Sequence, residues 1–180
     1  MKNTIIPLLL TCAFAFGCAG TPARKPAEGT VYYFGQVRYS SVDGKQPYGG
    51  TTSAVMREVL AGGDRIIETV TQPGRSPATP SQTFVTRITR RDHALVYDAA
   101  DDEKTFTGSL TFSGPDLAAW AYDIKLASGA LTGSGRLTAA GIATDKTLAI
   151  ARPVRITEDL RVVTKAEYEA QIAGMRPSGQ

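Results

Sequence analysis

The side chains able to do chemistry are few in this chain. It has one histidine, His93, and two cysteines, Cys12 and Cys18. A Ser-His-Asp site would have to be built on His93, with Asp92 beside it, and would need a serine brought into reach by the fold. No Gly-x-Ser-x-Gly, Ser-x-x-Lys or glycine-rich phosphate loop before a helix is present. One histidine without a thiol cluster excludes the usual zinc sites. His93 as an axial haem ligand would also require a shaped distal pocket, which no residue pattern indicates. Asp98, Asp101, Asp102 and Glu103 lack the alternating spacing that aims carboxylates at one calcium ion, so they read as a solvated turn. Arg87, Arg90 and Arg91 read as a charged strand end, with lipid phosphates as the alternative contact. The catalytic set is therefore empty, the leaning is away from an enzyme, and no metal or other cofactor is expected.

A second group points to binding. Phe106, Leu110, Phe112, Trp120, Tyr122, Ile124, Leu131 and Leu137 recur on one side of alternating segments. They form either a plain core or the lining of a pocket, since a barrel of eight or more strands is wide enough to hold one small ligand. On the pocket reading Phe106, Phe112, Trp120 and Tyr122 supply apolar contact. Lys146, driven to the same side, pairs with a carboxylate or phosphate of a lipid. The alternative is a bulge that turns Lys146 outward, because an unpaired buried lysine is costly.

The elements that must position these residues are strands. From Thr30 the pattern has period two almost throughout, broken by Gly, Pro or Asp every eight to twelve residues, as in a sandwich or barrel. Thr30 to Ser40 puts Val31, Tyr33, Val37 and Tyr39 on one face. Thr51 to Ala61 is ambiguous between a strand and a short capped helix, and is read as a strand that turns at Gly62-Gly63-Asp64 into Arg65 to Gln72. Pro73 to Gln82 reads as an irregular loop. Thr83 to Arg90 and His93 to Asp98 form a hairpin, and Lys104 to Ser113, Leu117 to Leu126, Ala130 to Ala139 and Ile142 to Ala151 form a meander with one solvated face. Val154 to Val163 is the last strand. Thr164 and Glu167 make a capping box for a helix from Lys165 to Ala173, closed by Gly174, with Tyr168, Ile172 and Met175 spaced to dock on the sheet.

Loop length fixes register. A three-residue loop Gly114-Pro115-Asp116 pairs Leu110 with Trp120 and Gly108 with Tyr122. A Ser128-Gly129 turn pairs Tyr122 with Gly135, so that Tyr122 covers a glycine on each side. An Ala140-Gly141 turn pairs Arg136 with Asp145 outside and sets Lys146 opposite Gly135. The expected fold is all-β, an antiparallel up-and-down barrel of about eight to ten strands with a short C-terminal helix. It resembles the calycin or lipocalin-like barrels in layout, with Tyr32, Tyr33 and Phe34 in place of a Gly-x-Trp signature near the first strand.

The start of the chain addresses the rest. Lys2, an apolar run from Ile5 to Phe16 and small residues before a cysteine form a secretory leader, too short to span a bilayer as a helix. Ala15-Phe16-Gly17-Cys18 resembles the lipobox of bacterial lipoproteins. The resemblance implies that Cys18 is the acylated N-terminus, that residues 1–17 are removed, and that Ala19 permits export to the outer membrane facing the periplasm. An ordinary secretory signal cut after Ala13-Phe14-Ala15 is the alternative. Residues 18–29 then form a lipidated terminus and flexible spacer, residues 30–174 the barrel domain and residues 175–180 a frayed tail. Cys12 leaves with the leader, so the mature chain contains no internal disulfide, and acylation removes a thiol that an oxidising envelope would attack.

Charge adds little. Twenty Lys and Arg against seventeen Asp and Glu are interspersed, without the basic stripe that nucleic acid requires. The expected function is an envelope lipoprotein whose barrel binds a small hydrophobic or amphipathic ligand without catalysis. The alternative is a filled barrel that meets a protein partner through its loops or the face of Thr51 to Gln72.

Overall fold

A computed structural model describes residues 28–63, 65–73, 81–91, 94–101, 106–113 and 118–175. Ten strands run in chain order: β1 (Gly29–Ser40), β2 (Pro47–Val59), β3 (Arg65–Thr71), β4 (Ser81–Arg91), β5 (Ala94–Asp101), β6 (Phe106–Ser113), β7 (Ala119–Leu126), β8 (Gly129–Thr138), β9 (Gly141–Ala149) and β10 (Val154–Val163). Helix α1 (Lys165–Met175) follows β10. Each strand pairs antiparallel with its sequence neighbours, and β1 pairs with β10, which closes the barrel. Closure leaves no edge strand to template aggregation. The ambiguous segment after Tyr48 is a strand, and only Ala61–Gly63 turns helically.

Alternation decides which side chains enter. Tyr33, Val55, Ile66, Leu110, Trp120, Ile124, Ile142 and Leu160 form one buried cluster inside the barrel. A second cluster lies outside: Ala54, Val163 and Tyr168, with Tyr32, Phe34, Met56, Ile172 and Met175 packed against it. Here α1 covers the outer face of β1 and β2, and the Tyr32 and Tyr168 rings lie 5.0 Å apart. The capping box forms as its residues predict. The Thr164 N–H donates to Glu167 Oε2 at 2.8 Å, and the Glu167 N–H donates to Thr164 Oγ1 at 3.2 Å. The helix continues through Gly174 to Met175 instead of closing there.

The faces of β6 to β9 are as the alternation predicts, whereas all three hairpin registers differ from the expected ones by two residues. Leu110 pairs with Tyr122 and Phe112 with Trp120. Tyr122 pairs with Gly133, and Trp120 with Gly135. Arg136 pairs with Ala143, and Lys146 lies opposite Gly133. The cause is common to the last two hairpins: their glycines are strand residues, and the turns are Ala127-Ser128 and Ala139-Ala140. Gly141 adopts φ +156°, and a Cβ on it would collide with the Leu160 carbonyl of the neighbouring strand. The turn before it is held by Thr138, whose Oγ1 accepts from the Ala140 and Gly141 N–H groups, each at 3.3 Å. A shift of two preserves the side-chain faces, so the face assignments survive the register error. The outward partner of Asp145 is consequently Arg155 of β10, whose Nε donates to Oδ1 at 2.9 Å. This guanidinium holds the Asp145 carboxyl below its ordinary range.

Candidate binding site in the barrel lumen

The barrel encloses a space of about 350 Å³, within the size range of small-molecule sites. Its apolar wall includes Val70, Phe84, Leu110, Trp120, Tyr122, Ile124, Leu126 and Leu131. Gln72, Gln82, Leu126 and Leu131 place the space toward the rim where β3 passes to β4 and β7 to β8.

Trp120 and Tyr122 stand two apart on β7 and therefore share the inward face. The Trp120 indole lies flat over the bare backbone of Gly135, and this ring covers the glycine that the expected register had assigned to Tyr122. The two rings meet edge to face at 6.3 Å, and the indole N–H donates to the Tyr122 hydroxyl. Burial pushes the Tyr122 phenol far above its ordinary pKa, with the Glu158 and Glu68 carboxylates adding to the rise. Tyr33 shifts upward for the same leading reason.

Lys146 is turned inward, with no bulge in its ladders. It is not alone there. Its Nζ lies 2.8 Å from Glu158 Oε1, with side-chain exposures of 13% and 20%, and 5.5 Å from the centre of the Tyr122 ring. The other Glu158 oxygen accepts from Thr144 Oγ1 at 2.8 Å. Pairing makes an inward lysine tolerable, which the bulge argument did not consider. Arg57 on β2 faces Glu68 on the adjacent β3 at 3.7 Å, and its guanidinium reaches across the lumen to 5.7 Å from the Trp120 ring centre.

The expected set is therefore brought together in part. Trp120, Tyr122 and Lys146 line one space. Phe106 and Phe112 are placed by the ladder opposite Leu126 and Trp120, and their side chains lie outside the described residues. So do Cys18, His93, Asp102 and Glu103, whereas Asp98 and Asp101 fall within β5 and not in a turn. Sequence reasoning missed Arg57, Glu68 and Glu158. Each had a signal: Arg57 shares the parity of Val55 and Val59, Glu68 that of Ile66 and Val70, and Glu158 that of Ile156 and Leu160.

A shallower trough of about 740 Å³ crosses the outer face of β6 to β10, lined by small residues such as Thr111, Ala119, Ala121, Ser134 and Ala143. Its lining is mostly small side chains, whereas the lumen wall is aromatic and long aliphatic. No protein-family model matches the chain, and a comparison with curated proteins finds no match either.

Proposed function

We propose that the protein is a lipid-anchored envelope lipoprotein whose barrel lumen binds a small hydrophobic or amphipathic ligand without chemical conversion. The observation that carries the reading is the enclosed space of about 350 Å³ with an aromatic and aliphatic wall and a polar end at Lys146 and Glu158. A filled core would leave no such volume, because protein interiors pack at crystal density. The anchor rests on the leader sequence and on Cys18. On this reading Cys18 carries the acyl chains, and residues up to Glu28 hold the barrel clear of an outer membrane whose periplasmic side it faces.

Native mass spectrometry of the protein beginning at Thr21, which retains every described strand, tests the binding reading. Expressed in the periplasm and purified without detergent, it should carry a discrete adduct of lipid mass. Leu131→Phe, which fills the space from its wall, should lose the adduct while circular dichroism stays unchanged. A bare mass that takes up no lipid on later addition would favour the filled barrel and a protein partner.

A further inference from the structure

The charges inside the lumen are arranged asymmetrically. Four charged side chains point inward among the described residues: Arg57, Glu68, Lys146 and Glu158. Both cations are occupied by carboxylates, and in each pair the carboxylate is the more open partner, 30% against 6% for Glu68 and Arg57, and 20% against 13% for Glu158 and Lys146. Glu158 is further engaged by Thr144. Glu68 is not so engaged. Its polar contact among the described residues is Arg57 at 3.7 Å, beyond hydrogen-bond reach, although an ionised carboxylate has about four acceptor sites. Glu68 lines the cavity, and Arg57 lies behind it.

The lumen thus offers acceptor capacity and negative charge where it is accessible. An anionic head could approach Lys146 only beside Glu158, whose carboxylate lies 2.8 Å from the ammonium and repels a second anion. A cationic head that donates hydrogen bonds instead meets the carboxylate, which is the more open member of each pair. Glu68 and Glu158 also act on the same Tyr122 phenol from β3 and β10, so their fields converge on one region of the space.

Resting on the reading of the lumen as a ligand site, we infer that the ligand is a cationic amphiphile with a protonated primary amine, received by Glu68. Its apolar tail runs along Val70, Phe84, Leu110 and Leu131. Lys146, expected from the sequence to meet an anion, instead holds Glu158 in place.

Trp120 is the chain's only tryptophan and lies on the cavity wall, so its emission reports occupancy directly. The protein beginning at Thr21 is titrated with decylamine, decanol and decanoate at monomeric concentrations and neutral pH. Decylamine should bind at least about tenfold more tightly than the other two, the factor expected of one hydrogen bond to a charged group. Glu68→Gln should abolish that preference. Decyltrimethylammonium, which keeps the charge but has no N–H to donate, should bind the unaltered protein about tenfold more weakly than decylamine, a comparison that does not depend on a variant folding. Equal binding of all three decyl probes, or tightest binding of decanoate, would overturn the amine assignment and leave the lumen as a ligand site. A preference that survives in Glu68→Gln would overturn the role of Glu68. No change in Trp120 emission with any probe would overturn both this inference and the ligand-binding reading.

Discussion

Gly135→Ala adds a single methyl group directly beneath the Trp120 indole. The Cβ would lie 2.5 Å from Trp120 Nε1 and closer still to Cε2 and Cζ2, where ordinary carbon contacts are about 3.5–4.0 Å. The indole must therefore retreat by about an ångström or more. Its retreat is open only toward the lumen it lines, past the Tyr122 edge and the Arg57 guanidinium. Overpacking of this kind costs about 1–3 kcal/mol. For a domain of this size the melting temperature should fall by roughly 4–8 °C for a loss of about 2 kcal/mol. Thermal melts followed by circular dichroism measure the shift, and Trp120 emission reports the displaced ring. A double-mutant cycle isolates the cause. Trp120→Ala alone should cost about 3–5 kcal/mol, but adding Gly135→Ala to it should cost nothing and could gain about 0.4–1 kcal/mol by restricting the unfolded chain. A melting temperature within about 1 °C of the parent, or a penalty for Gly135→Ala that persists without the indole, would refute the stacking argument.

The lumen pair and the helix cap give two further expectations. Lys146→Met leaves Glu158 with Thr144 alone and should destabilise by about 3 kcal/mol, whereas Lys146→Met with Glu158→Leu should cost clearly less than the sum of the single changes; additive losses in urea melts would show that the pair is not coupled. Hydrogen bonds from the Thr164 N–H and hydroxyl hold the Glu167 carboxyl below its ordinary pKa. A folded-state value depressed in this way gives stability that is present above about pH 4.5, the ordinary value, and is lost as pH falls through the lowered value. The protection factors of the α1 amides, which remove the intrinsic pH dependence of exchange, should therefore fall on acidification in the parent but stay flat with pH in Glu167→Gln. An unchanged pH dependence in that variant would place the titration elsewhere.

Much of this architecture was legible because local chemistry writes it directly. Period-two alternation fixes which side chains share a face regardless of how the strands align, so Trp120, Tyr122 and Ile124 were on the correct side before any pairing was known, while Lys146 stood there against the alternative of a bulge that turned it outward. The capping box of Thr164 and Glu167 involves residues three apart and needs no tertiary information.

Register was a different matter, because glycine signals two things. Read along the chain, Gly129 and Gly141 looked like turn residues. In the barrel they are strand residues whose backbones lie against Ala149 and Leu160, and the turns fall on alanine and serine. Only the neighbouring strand could reveal that, since the close approach exists only once the sheet has formed. The charges inside the lumen follow the same rule. The sequence by itself put Lys146 either inward or outward on a bulge, and the unbroken ladders of β9 set it inward. Its salt bridge to Glu158, twelve residues away on β10, and the exposure of Glu68 above a concealed Arg57 were decided by closure of the sheet, because the energy of a buried charge depends on which partner the fold brings to it and which side it leaves open.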